Sequence, residues 1–248
     1  MSMISDFFEA LRFLTVLPLP GAHKKGNLAR AMFFFPLVGL LIAGVSLLMA
    51  KGLFSSFPYR LQALALVTLP ILLTGGLHVD GFADFCDGFF GGKKPEEILR
   101  IMREPQIGTW GAVGVSLLLF WKWELLAALP ARQGVFILAL TTGRWAQVAL
   151  AYFLPYANPQ GGLGEAVAKK VKVRELVGAS AFLFLVLIFF KAQGIFCFLA
   201  LLALLAGMGF FFYRRVGGIT GDLLGATSEA SEVFILLFFT GTTYGSFK

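Results

Sequence analysis

Asp80, Asp84 and Asp87 stand at i, i+4 and i+7 in "LTGGLHVDGFADFCDGFFGGKK", residues 73–94, a stretch that also carries His78 and six glycines and follows a strongly apolar run. On a helix this spacing places the three carboxylates within about 60° of one another on one face. At ~5 Å separation and an effective dielectric near 20, each like-charge pair costs roughly 3 kcal/mol, so something positive must offset it. A hard divalent cation that takes oxygen ligands and keeps positions for phosphate, Mg²⁺ above all, does so most simply. The plainer accounts are a solvated acidic face or carboxylates paired with loop arginines. Phe82, Phe85, Phe89 and Phe90, interleaved with the aspartates, fit a solvated face poorly. Gly81, Gly88, Gly91 and Gly92 would let backbone approach a phosphate closely, at a cost in helix stability. Lys93 and Lys94 follow directly, and Arg100 and Arg103 stand one turn apart in "EEILRIMREPQIGTWG", so cations for phosphate oxygens are near in sequence. His78 is a candidate base or ligand, although a lone histidine at a membrane edge also serves as hydrogen-bonded structure.

A second acidic cluster occurs in "RRVGGITGDLLGATSEASEVF", where Asp222 and Glu229 are seven apart, Glu232 lies three further on, and Arg214 and Arg215 precede them. Carboxylates entering an apolar helix are costly unless they face cations or a polar cavity. Asp222 and Glu229 therefore join Asp80, Asp84 and Asp87 as candidate metal ligands, with Glu232, Arg214 and Arg215 as candidate substrate contacts. Arg144, within "ALTTGRWAQVALAYFLP", would cost ~2.5–3.5 kcal/mol at a bilayer centre and needs a carboxylate or a ligand anion.

The elements that must position these groups are membrane helices. The chain has 248 residues, 58% of them hydrophobic and only 14% charged, and a mean hydropathy of +0.81. That excludes an ordinary soluble domain. The composition predicts an all-α, polytopic helical bundle forming one integral domain over residues 1–248. Six or seven spans are expected, near 31–50, 61–77, 107–128, 135–154, 176–190, 194–212 and 232–247. Pro70, and Lys122 with Glu124, imply kinks or early exits, and "KAQG" at 191–194 reads as the turn of a helical hairpin. Ile4, Phe7, Phe8, Leu11 and Leu14 form a stripe opposite Asp6, Glu9 and Arg12, as in an amphipathic helix lying in the interface or packed on the bundle. No basic leader precedes it. Cys86 and Cys197 lack the spacing of a zinc site, and no disulfide framework is expected.

Seven spans sort the basic residues by side. Arg12, Lys24, Lys25, Arg30, Lys93, Lys94, Arg100, Arg103, Lys169, Lys170, Lys172, Arg174, Arg214 and Arg215 fall on one face of the membrane. Lys51, Arg60, Lys122, Arg132, Lys191 and Lys248 fall on the other. The richer side is expected to be cytoplasmic, and both acidic clusters lie on it. The asymmetry, with anionic lipid as its partner, accounts for the net charge of +7 without nucleic acid, for which no motif is present. Glycine-rich breaks at 75–92, 161–164 and 217–225 cluster on the same side and hint at one shared site.

The blocks "GGLHVDGFADFCDGFFGG", "IMREPQIGTWGAV", "GRWAQV" with "LPYANPQGGLG", and "GGITGDLLGATSEASE", together with the N-terminal "ALRFLTVLPLP", resemble the cobalamin synthase family. These are the adenosylcobinamide-GDP ribazoletransferases of bacteria and archaea. The resemblance runs through almost the whole chain in order, and departs from the family pattern at Val16, Glu104, Gln106 and Asn158. It implies a Mg²⁺-dependent enzyme of a prokaryotic inner membrane that joins adenosylcobinamide-GDP to α-ribazole, or its 5′-phosphate, and releases GMP. Asp84 or Asp87 would take the hydroxyl proton, with His78 a further candidate, and the basic residues named above would meet the phosphates. Two rival readings are a phosphatidyltransferase of the CDP-alcohol type and a membrane transporter whose acids coordinate cargo. A homo-oligomer is left open.

Overall fold

The structure, a computed structural model, describes residues 2–19, 27–129, 132–157 and 171–245, and within them the fold is built from helices. The basic residues Lys24, Lys25, Lys169, Lys170 and Lys248 and the glycine break at 161–164 lie outside the described residues.

Helix α1, Met3–Leu14, packs on the bundle by part of the expected stripe: Leu14 is buried, and Phe7 and Leu11 pack against the core. Its inward residues are Asp6, Ala10 and Leu14, while Ile4 and Phe8 are exposed. The acidic residue turns inward because Arg30, on the short helix α2 (Leu28–Ala31), pairs with it at 2.9 Å. A 3₁₀ turn at Met32–Phe34 carries α2 into α3, Phe35–Phe54, giving one predominantly apolar helical run of 27 residues.

Helix α4, Tyr59–Thr74, passes through Pro70 without stopping. The break comes at Gly75 and Gly76, whose φ angles of +62° and +75° are left-handed conformations that glycine adopts without a Cβ penalty. Helix α5, Leu77–Gly91, then leaves at 93° to α4. The single span expected near 61–77 is thus a bent pair, and the helix carrying the aspartates runs across the direction of the helix before it. Helix α6, Pro95–Ile101, is short and leads to α7, Thr109–Ala128. Lys122 does not end α7 early; it is turned inward and buried.

Helix α8, Arg132–Phe153, is the centre of the molecule: 89% of its apolar window is buried, against 28% for α7. Helices α9 (Val173–Leu187) and α10 (Lys191–Val216) are joined through a 3₁₀ turn at Ile188–Phe190. The rings of Phe184 and Phe198 lie 5.1 Å apart, whereas fourteen residues of straight helix would separate them by about 21 Å. The chain therefore doubles back here, through the Ile188–Phe190 turn and Lys191, the first residue of "KAQG", with its φ of +50°. The last helix, α11, is Gly221–Gly245. It begins eleven residues before the expected span, so the second acidic cluster lies inside the helix and not in a loop before it.

Five helical runs among the described residues are long and apolar enough to cross a membrane, six if the bent pair counts as one span. Their outer faces carry Leu48, Leu185, Ile188, Phe189 and Phe196 in exposed positions, as a lipid-facing surface requires. Cys86 and Cys197 are both free and buried.

Candidate active site

The glycine- and aspartate-bearing blocks of the sequence become a set of contacts around α5. A Cβ on Gly81 would lie 2.8 Å from the Asp222 carbonyl oxygen and 2.9 Å from its Cα, so α5 and the first turn of α11 meet backbone to backbone. Gly225, one turn along α11, lies against the His78 backbone in the same way. Asp222, Asp80 and Asp87 are accordingly the electrostatic neighbours of Asp84. The start of α11 is held by Thr220, whose Oγ1 accepts from Leu223 N at 3.2 Å. The segment before it is tied to the end of α8: Ala157 N donates to Ile219 O at 3.0 Å and Ile219 N to Pro155 O at 2.9 Å.

The three aspartates of α5 have different surroundings. Asp87 accepts from Gly108 N and Gly111 N, both at 2.7 Å, and so fastens the first turn of α7 to α5. Both of its oxygens are engaged. Asp80 is exposed and Asp84 half-buried, and neither forms a hydrogen bond or ion pair among the described residues. Asp222, also half-buried, has only a 3.5 Å contact from the Thr220 hydroxyl. Asp80, Asp84 and Asp222 are therefore neighbouring carboxylates without a cation among the described residues.

Glu229 and Glu232 lie two and three turns deeper along α11, and both are buried. The Lys122 ammonium bonds to Glu229, and to Glu232 Oε2 at 2.6 Å; Arg144 Nη1 bonds to Glu232 Oε1 at 2.9 Å and to the Ser228 hydroxyl. Two cations and two anions close a neutral cluster between α7, α8 and α11, where an unpaired charge would be severely penalised. Glu229, expected among the metal ligands, is thus engaged by Lys122. Arg144 and Glu232, expected at the substrate, are engaged with each other.

The other expected contacts divide similarly. Arg215 donates to the carbonyls of Phe89 and Gly92, at 3.3 and 3.2 Å, and closes the C-terminus of α5. Arg214 is exposed and lies over Phe210. Arg100 pairs with Glu104, and Arg103 is exposed beside it. Lys93 and Lys94 are exposed at the start of α6, where their backbone N–H groups hold the Glu97 carboxyl below the usual carboxylate range. Gly81 and Gly88 admit neighbouring protein: Gly81 faces Asp222, and Gly88 faces Ile98 and Met102. His78 is buried, with Gln147 of α8 beside it. Lys122, Ser228 and Gln147 were not singled out from sequence. For Lys122 a signal existed, since the apolar spans hold Lys122 and Arg144 against Glu229 and Glu232, a balance that invites pairing.

The donor set suits magnesium chemically, being oxygen-only and uncompensated. Among the described residues no three His, Cys, Asp or Glu side chains converge into a ready-made metal cluster. A magnesium site built from one or two carboxylates and the phosphates of a bound substrate would need no such cluster.

A bundle of long apolar helices defines a polytopic membrane protein, and among the described residues three of its carboxylates stand without a cation where two helices meet. The family model for cobalamin-5-phosphate synthase matches residues 6–240, and the chain belongs to that family. Among its relatives is the adenosylcobinamide-GDP ribazoletransferase of Chlorobaculum parvum, 38% identical over 241 residues covering 94% of each chain. The protein of the same description from Pseudomonas fluorescens is 38% identical over 239 residues, covering 93% of this chain and 97% of its own. No solved structure matches significantly.

Proposed function

We propose that this chain joins adenosylcobinamide-GDP to α-ribazole or its 5′-phosphate, releasing GMP, with Asp80, Asp84 and Asp222 as the acidic centre. Family membership supports the reaction, and the backbone contact between Gly81 and Asp222 carries the assignment of the centre. The ribose hydroxyl attacks the phosphorus joined to cobinamide, the bond from that phosphorus to the diphosphate bridging oxygen breaks, and GMP departs. Asp84, half-buried and without a partner, receives the hydroxyl proton. Asp80 and Asp222 would hold Mg²⁺, which when bound neutralises charge developing on phosphate oxygens. The exposed Lys93, Lys94, Arg103 and Arg214 supply cations for the substrate's outer phosphate oxygens. Asp87 and Arg215 position α5 from its two sides. We place the site on the cytoplasmic face of a prokaryotic inner membrane, on the strength of the basic asymmetry.

The test is GMP release by the purified chain given both substrates and Mg²⁺. Release that needs the nucleoside and stops with EDTA is expected. Binding of the corrinoid without GMP release would favour a transporter.

A further inference from the structure

A cavity of about 140 Å³ lies where α1, α3, α5, α8 and α11 meet, and its lining includes the exposed Asp80 and the half-buried Asp222. A dry cavity of about 150 Å³ holds a benzene-sized ligand, so one of this size takes the apolar half of a bicyclic base and leaves the other half at its mouth. Phe13 and Phe35, stacked at 14° with centroids 5.9 Å apart, form one wall, and Leu224 contributes to the lining. Its other polar groups are few but buried. His78 is 2% exposed and Gln147 4% exposed. Although the two are neighbours, neither His78 ring nitrogen has a hydrogen bond of good geometry, nor does the Gln147 amide oxygen. A buried polar atom without a partner costs about 1–3 kcal/mol, so a side chain kept that way in a cavity invites a ligand with a polar edge.

We propose that this cavity receives the aromatic base of the incoming nucleoside, and that His78 and Gln147 read the base's polar edge. This rests on the transfer reaction proposed above. Ribazole carries a methylated benzimidazole: planar, largely apolar, with one ring nitrogen free to accept a hydrogen bond. A neutral imidazole can donate that bond. Guanine, the other bicyclic base in the reaction, would bring an edge of several donors and acceptors to an apolar wall and leave most of them unpaired. With the base in the cavity, its ribose emerges at Asp80 and Asp222, where the attacking hydroxyl is needed. His78 is then a binding residue and not a mover of protons.

The experiment uses the full chain purified in detergent. Isothermal titration with α-ribazole in metal-free buffer should give a Kd raised about tenfold in His78→Ala and partly restored in His78→Gln. In turnover, His78→Ala should raise KM for α-ribazole about tenfold while kcat and KM for adenosylcobinamide-GDP stay within twofold. A rise in KM for adenosylcobinamide-GDP alone would assign the cavity to guanine and overturn the proposal. A fall in kcat with both KM values unchanged would make His78 catalytic and also overturn it. If His78→Ala does not fold, Gln147→Leu reads the same edge at similar volume, and an unchanged Kd there would count against the cavity. Should the wild-type chain release no GMP, the proposed reaction fails, and the titration still decides what the cavity holds.

Discussion

Carboxylates of the same type do different work in this protein, and the difference is set by what each one touches. Asp84 has no protein partner, Asp87 holds two backbone N–H groups of α7, and Glu229 is paired with Lys122. Asp84→Asn should therefore cut kcat by 10²-fold or more at saturating Mg²⁺ with little change in melting temperature; near-wild-type turnover would remove Asp84 from the centre. For the neutral cluster the expected signature is stability. Lys122→Met leaves two buried carboxylates facing one guanidinium and should destabilise the protein by about 3–5 kcal/mol. Adding Glu229→Gln restores charge balance and should recover most of the loss, as read by thermal melts in detergent. If Glu229 instead acted at the metal, Glu229→Gln alone would abolish turnover and the second substitution would recover nothing.

At the scale of elements, the site depends on how closely α5 and α11 approach. The Gly81 contact leaves no room for a Cβ, and backbone on the far side cannot give way as a side chain would. Gly81→Ala should separate the helices and lower kcat/KM at least tenfold, whereas Gly91→Ala, with only the tip of Ile101 at 3.6 Å, should cost a few tenths of a kcal/mol or less. Equal effects at the two positions would mean that the close approach does not matter to catalysis. The sequence made the helices legible through apolar run length, and Asp80, Asp84 and Asp87 through their common face. It did not show the right angle between α4 and α5, because the glycine pair at 75–76 looks like an ordinary loop until its φ angles are known. Nor did it show that Glu229 belongs with Lys122: period and spacing place a side chain on a face, but not the partner opposite. In α1 the stripe holds for Phe7, Leu11 and Leu14, and the inward turn of Asp6 to meet Arg30 is invisible for the same reason.

For the whole molecule, the sidedness of the membrane decides which compartment supplies substrate. The asymmetry of Lys and Arg predicts position 93 in the cytoplasm and position 191 outside. Single cysteines introduced there can be labelled from outside in intact cells with little background, because Cys86 and Cys197 are buried. Position 191 should react and position 93 should not. External labelling at 93 would invert the topology and move the acidic centre to the other face.

The central claim is that acidic blocks about 140 residues apart in sequence form one catalytic centre, and a double-mutant cycle on kcat/KM for GMP release tests it most directly. Groups that act as a unit are strongly non-additive. Asp84→Asn and Asp222→Asn should each cost on the order of 10²–10⁴ in kcat/KM, and the double variant should lose about as much as the worse single one. Losses that multiply, with Asp222→Asn leaving the dependence on Mg²⁺ unchanged, would mean two separate sites and contradict the account.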